Sequence, residues 1–199
     1  KEVIDCGKFA LITEDQVKGQ LTMAEYMDRN EYISSVYVYD MDEGRSDRYF
    51  KEDAGDAECY IGDARRSDLF GTPGVDIDWR NQEGFVLKEG ESKQYIGKYM
   101  STNRIPLLKL SEMYLIAAEA SGDKSYVQTL RDHRGYMNYP LDDDCDLAEE
   151  IKNEYRKEFL AEGQLFYFYK RMNYEDIPYS SVKMTESVYV LPMPDDELE

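Results

Sequence analysis

Residues 104–120 read Arg-Ile-Pro-Leu-Leu-Lys-Leu-Ser-Glu-Met-Tyr-Leu-Ile-Ala-Ala-Glu-Ala, and this stretch decides the fold class. Leu107, Leu110, Tyr114 and Ala117 recur at steps of three and four, with Leu108, Met113 and Ala118 beside them. That spacing predicts a helix running on from Pro106 with one apolar face. Gly122 ends it, Asp123 can cap a second helix carrying Tyr126, Val127 and Leu130, and Gly135 stops the second. The pair looks like one helix–turn–helix repeat, although a single copy establishes no array.

Downstream, Asp146 with Glu149 three residues on forms a start signal of the capping-box kind. Leu147, Ile151, Tyr155 and Phe159 follow at steps of four. Gly163 interrupts, and Leu165-Phe166-Tyr167-Phe168-Tyr169 is apolar on every side, which predicts deep packing. Ser187 to Pro194 reads as an extended run broken by two prolines.

Upstream the signals change. Val3 to Gly7 reads as the last turn of a helix closed by glycine. Thr22 with Glu25 starts a short helix over Met23–Met27, and Tyr32-Ile-Ser-Ser-Val-Tyr-Val-Tyr39 reads as a strand. From Asp40 to about Asn81 glycines and charges punctuate the chain without a period, so a long excursion of loops is expected. Phe85–Leu87, the charged turn after it and Gln94–Met100 read as a β-hairpin. The fold class is therefore mainly α with irregular and β elements: strands and loops first, helices second.

Composition limits the function classes. Of 199 residues, 42 are acidic and 24 basic, a net charge of −18, which repels phosphate backbones and excludes nucleic acid as a natural partner. No run approaches the roughly 18–20 apolar residues that span a bilayer. Hydrophobic residues make up 42%, enough for a true core. Three cysteines, Cys6, Cys59 and Cys145, fit neither a disulfide scaffold nor a zinc pattern. Cys6-Gly7 lacks the preceding apolar stretch of a lipidation signal, and the opening on Lys1 reads as a piece of a longer chain whose leader lies upstream.

Catalytic constellations are not legible. Asp142 to Asp146 alternates carboxylates as calcium loops do, yet the sixth position is Leu147 rather than glycine and the twelfth is Asn153 rather than glutamate. A solvated loop feeding a helix cap is the better reading. A glycosidase needs two carboxylates about 5–9.5 Å apart; among 42 acids some pair always meets that condition. The single histidine, His133, sits between Asp132 and Arg134 and reads as a surface or satisfied side chain. Aromatics are the richer resource: 18 Tyr, 7 Phe and one Trp. Tyrosine pairs an apolar face with a polar tip, which suits sugars and peptides. Trp79, flanked by Asp78, Arg80, Asn81 and Gln82, is the leading candidate for an exposed stacking platform, the alternative being a buried anchor that holds the loops. With Tyr60, the residues Trp79, Arg80 and Asn81 form the candidate ligand-binding set; no catalytic residue, metal ligand or cofactor is assigned.

The second half resembles the SusD/RagB family. Arg104–Ala120 is similar to its "R-Y-A-E-v-y-L-m-y-A-E-A" helix, and Glu154 to Arg171, with Glu158 and Glu162-Gly163, to its "E-R-x-x-E-L-x-x-E-G-x-R-x-x-D-L-x-R" helix. Tyr189–Pro194 resembles the closing "l-w-P-I-P-x-x-E" segment. Val3–Phe9 resembles "v-I-x-S-G-k-Y", and Asn30–Ile33 resembles "s-E-i-I-F". Five matches in order cover most of the chain outside 40–100. One departure stands out: the family's Arg and Asp after E-G are replaced by Leu165 and Phe168, an ion pair made apolar.

The resemblance implies a tetratricopeptide-like helical layer supporting a loop-rich face, with residues 1–199 forming the C-terminal portion of one SusD-like domain. Within it, 1–30 would end the helical part, 31–103 form the strand- and loop-rich region, and 104–199 supply the C-terminal helices and closing segment. It further implies a surface-exposed outer-membrane lipoprotein, anchored through an upstream lipid. Such a protein captures an oligosaccharide, or in some members a peptide, for a SusC-type TonB-dependent transporter. A carboxylate-pair glycan hydrolase and a pure protein-binding helical scaffold are the alternatives from other classes.

Overall fold

The structure, a computed structural model, describes residues 1–19, 23–39, 60–71, 77–87, 94–97 and 103–190. Among these the chain is mainly helical with a few short antiparallel strands, as its patterning predicts. It forms two compact units, Lys1–Glu158 and Phe159–Glu199.

In the first unit, strand β1 (Tyr32–Tyr37) pairs antiparallel with β5 (Arg104–Lys109), Tyr32 opposite Lys109 and Tyr37 opposite Arg104. The ribbon is buried at its Tyr32 and Lys109 end, while Val36, Tyr37, Ile105, Leu107 and Leu108 are exposed. A second sheet orders β2 (Tyr60–Ile61), β4 (Gln94–Ile96) and β3 (Phe85–Leu87), with Val86 and Tyr60 both opposite Tyr95. β3 and β4 are the expected hairpin strands, and the turn between them lies outside the described residues.

The helix predicted to run on from Pro106 begins later, at Leu110, and ends at Ser121. Pro106 favours extended backbone in the residue before it, and pairing with β1 carries the strand through Lys109. Leu107 and Leu108 are therefore exposed strand residues, not part of the helical face. Leu110, Leu115 and Ala118 are buried on that helix, which closes at Gly122 in the left-handed conformation (φ 69°). It packs against the Ser125–Arg131 and Leu147–Glu158 helices. Val127, Leu130, Ile151 and Tyr155 complete this core. Asp146 caps the last helix as expected, its Oδ1 accepting from the amides of Ala148 and Glu149 at 3.0 and 3.2 Å.

The expected loop excursion from Asp40 to Asn81 is partly structured. It contains β2, a helix over Asp63–Phe70 and the start of a one-turn helix over Trp79–Glu83. Asp78 begins that turn by accepting from the Arg80 amide at 3.0 Å. Residues 40–59 and 72–76 lie outside the described residues, as do Thr22 and the run after Val190.

In the second unit, the helix over Gln164–Arg171 follows Gly163 (φ 76°). Phe168 and Tyr169 are buried, but Phe166 and Tyr167 are exposed, so the apolar run is packed on one side only. Tyr174 packs on Phe168 and Tyr169, with ring centroids 6.0 and 5.7 Å away. Glu186–Tyr189 is a single helical turn rather than the extended segment expected there. The buried Tyr189 ties that turn back, its hydroxyl donating to the Tyr174 carbonyl at 2.7 Å.

Candidate functional site

The structure places three of the four candidate ligand-binding residues in the interior. Trp79 is 9% exposed and lies in an apolar cluster with Ile12, Met27 and Tyr32, with Val17 against it. It anchors its surroundings and offers no exposed platform. The Gly135 backbone (φ 105°) passes so close that a Cβ there would lie 3.0 Å from the indole Cδ1. Asn81 is buried too; its Oδ1 and carbonyl accept from Arg66 Nε and Nη2 at 2.5 and 2.9 Å. Tyr60, on β2, is 52% exposed.

Arg80 belongs to a buried ionic clamp. Its Nε and Nη2 donate to the two oxygens of Asp78 at 2.9 and 2.8 Å. Nη2 also donates to Glu154 Oε2 at 2.9 Å, and Nη1 to Glu158 Oε2 at 3.2 Å. Arg134 mirrors it, holding Glu158 through Nε and Nη2 at 3.1 Å each and Glu31 through Nη1 and Nη2 at 3.0 and 2.7 Å. Lys109 Nζ donates to the Glu158 carbonyl at 2.9 Å and lies 3.5 Å from its carboxylate. Glu31 also accepts from the Ile12 amide at 2.9 Å. Lys157 and Arg131 close the rim, 3.3 and 3.8 Å from Glu154.

Burial alone would raise the pKa of Glu154, but Arg80, Lys157 and Arg131 outweigh it and hold the carboxyl at about 2. Glu158 also faces a burial cost, and Arg134, Lys109 and Arg80 draw its pKa well below the carboxylate range. Burial likewise pushes the Tyr136 hydroxyl up, its ring lying beneath Arg131 with the guanidinium 4.5 Å from the centroid. Acids so firmly ionised, and saturated by donors, are poor proton carriers. Their chemistry is cross-linking: two guanidiniums staple the segments around residues 31, 78, 134 and 154–158 together.

Sequence reasoning missed this clamp. One signal for it exists, since Glu154 and Glu158 sit four apart on the same helix as the buried Ile151 and Tyr155. An amphipathic pattern places apolar residues there, so acids on that face imply buried cations.

The second unit contains an open cavity of about 580 Å³ lined by Asn173, Glu175, Lys183, Met184, Thr185 and Glu186. Asn173 is left-handed (φ 52°) and turns the chain out of the Gln164–Arg171 helix. The Met184 amide donates to the Glu175 carbonyl at 2.8 Å, joining the two walls, and the Met184 side chain is buried. Thr185 precedes the single turn held by Tyr189. Among the described residues, Glu175, Lys183 and Glu186 form no ion pair with one another. Unlike the clamp acids, Glu175, Lys183 and Glu186 are exposed to solvent. Among the described residues, no group of three or more His, Cys, Asp or Glu side chains is arranged to hold a metal ion.

The chain matches the SusD family over residues 70–189, 120 of its 199 residues. It belongs to that family. Membership carries a general nutrient-binding role, and SusD-family proteins are generally binding proteins without catalysis. They work with SusC-type transporters and are typically lipoproteins of the outer-membrane surface. No curated protein and no solved structure matches the chain. No helix among the described residues is long and apolar enough to cross a membrane. The clamp joins the matched region to Glu31, outside it, while the cavity of the second unit lies wholly inside.

Proposed function

We propose that this SusD-family chain captures an oligosaccharide at the outer-membrane surface and delivers it to a SusC-type TonB-dependent transporter, without transforming it. An upstream lipid would anchor it, and its helices would form a tetratricopeptide-like support for the binding face. The observation that carries the reading is the open cavity in the matched region, with an amide, a hydroxyl, an ammonium and two carboxylates on its wall and a thioether in its lining. Sugar hydroxyls donate and accept at once, and a few convergent polar groups beside an apolar surface suit them.

Isothermal titration of the chain with panels of oligosaccharides and peptides tests this. Binding of an oligosaccharide that weakens in Asn173→Ala and Thr185→Ala supports the reading. Binding of peptides alone would replace it with the peptide-capturing role. Release of reducing ends from a polysaccharide, above that of heat-inactivated protein, would replace it with hydrolysis.

A further inference from the structure

The cavity's charge is unbalanced. Among the described residues that line it, Glu175 and Glu186 supply two carboxylates against the one ammonium of Lys183, and the exposed Asp176 stands next to Glu175 in the chain. Among the described residues, no ion pair links Glu175, Lys183 and Glu186. The chain as a whole carries −18. Screening confines that field to roughly 8–10 Å at physiological salt, so the charges that a bound ligand meets are chiefly those of the wall itself.

Resting on the sugar-binding reading above, we infer that this cavity selects oligosaccharides bearing ammonium groups over neutral ones, and discriminates against uronic or sulfated ones. A protonated amino group that reaches the carboxylate of Glu175 or of Glu186 on the cavity wall gains charge-assisted hydrogen bonds that an N-acetyl group cannot offer. A carboxylated sugar has one cation to approach and two like charges to avoid. The ligand's neutral hydroxyls and ring face are common to all three classes and supply the shared part of the affinity.

The test compares three probes on the whole chain by titration calorimetry at about pH 6: a glucosamine tetramer, its fully N-acetylated form, and a galacturonate tetramer. The amino form should bind about fivefold tighter than the N-acetylated form at low salt, the scale of one close charge pair near a surface. The acidic form should bind weakest. The preference should fall to near unity in the Glu175→Gln, Glu186→Gln double variant, whose fold is verified by its melting temperature. A control pair, Glu2→Gln with Asp144→Asn, removes two exposed charges outside the cavity and should keep the preference. Equal affinity for amino and N-acetylated forms overturns the inference but leaves oligosaccharide capture standing. The same holds if both variant pairs lose the preference equally, since bulk charge would then be the cause. Binding of none of the three also overturns the inference, while oligosaccharide capture itself is decided by the wider panel described above.

Discussion

Arg134 and Glu31, 103 positions apart, meet in a two-pronged pair of 3.0 and 2.7 Å with both side chains wholly buried. Neither charge has water to fall back on. Replacing Arg134 by Met leaves Glu31 and Glu158 short of their main partner and is expected to cost about 3–5 kcal/mol. Urea unfolding should read this as a lower midpoint, and adding Glu31→Gln should restore part of the loss. Lysine at 134 should rescue poorly, because one ammonium cannot span two carboxylates.

Acidification should weaken the fold through Glu154. Its folded pKa of about 2 lies below the ordinary 4.5, so the native state holds this proton less readily than the unfolded chain. The resulting stability is complete above about pH 5 and is lost as pH falls through about 2, a span worth roughly 3 kcal/mol. Glu158 acts in the same direction. Urea midpoints measured at about pH 7, 5 and 3 should decline mainly over the last interval, and Glu154→Gln should flatten that decline.

Trp79→Ala should destabilise by about 3–5 kcal/mol, as removal of a buried large aromatic does. Tyr60→Ala, at a half-exposed ring, should leave the melting temperature within about 1 °C of the parent, the behaviour of a surface substitution. An unchanged melting temperature for Trp79→Ala would place the indole outside the core.

Two glycines should respond differently to alanine. Both have positive φ, but a Cβ at Gly122 meets open space, whereas one at Gly135 would lie 1.9 Å from the Ile77 carbonyl oxygen. Gly122→Ala should therefore cost about 1 kcal/mol, the left-handed penalty alone. Gly135→Ala should cost several times more, because backbone must move, and a thermal melt of the two variants ranks them.

The local grammar of the sequence was readable wherever one residue type has one use. Gly122 ends its helix, Asp146 begins one, and residues 32–37 form a strand for the reasons their chemistry supplies. Leu107 and Leu108 misled because two adjacent leucines satisfy a helical period and a twisted ribbon equally; the pairing with β1 decided between them. Phe166 and Tyr167 misled because an all-apolar run does not reveal which side faces out. The clamp was out of reach for another reason. The pairs that Arg80 and Arg134 make with Glu31, Glu154 and Glu158 span 24 to 103 positions, and no periodicity records which acid will meet which arginine. Arg80 and Asn81 looked available because polar residues beside a tryptophan resemble a binding patch, until burial and pairing reassigned them. The cavity was equally hidden, since Asn173, Glu175 and Lys183 come together only through a left-handed turn and the Met184–Glu175 bond.

The clamp also sets how far the chain can be trimmed. Residues 70–189 are the portion shared with the SusD family, yet Arg134 inside that portion depends on a carboxylate from residue 31. A truncated version starting at residue 70 would leave Arg134 with Glu158 but without Glu31, together with a Trp79 stripped of Ile12, Met27 and Tyr32. The smallest self-sufficient piece of the first unit is thus fixed by where its salt knot is tied, not by where kinship with other sequences begins.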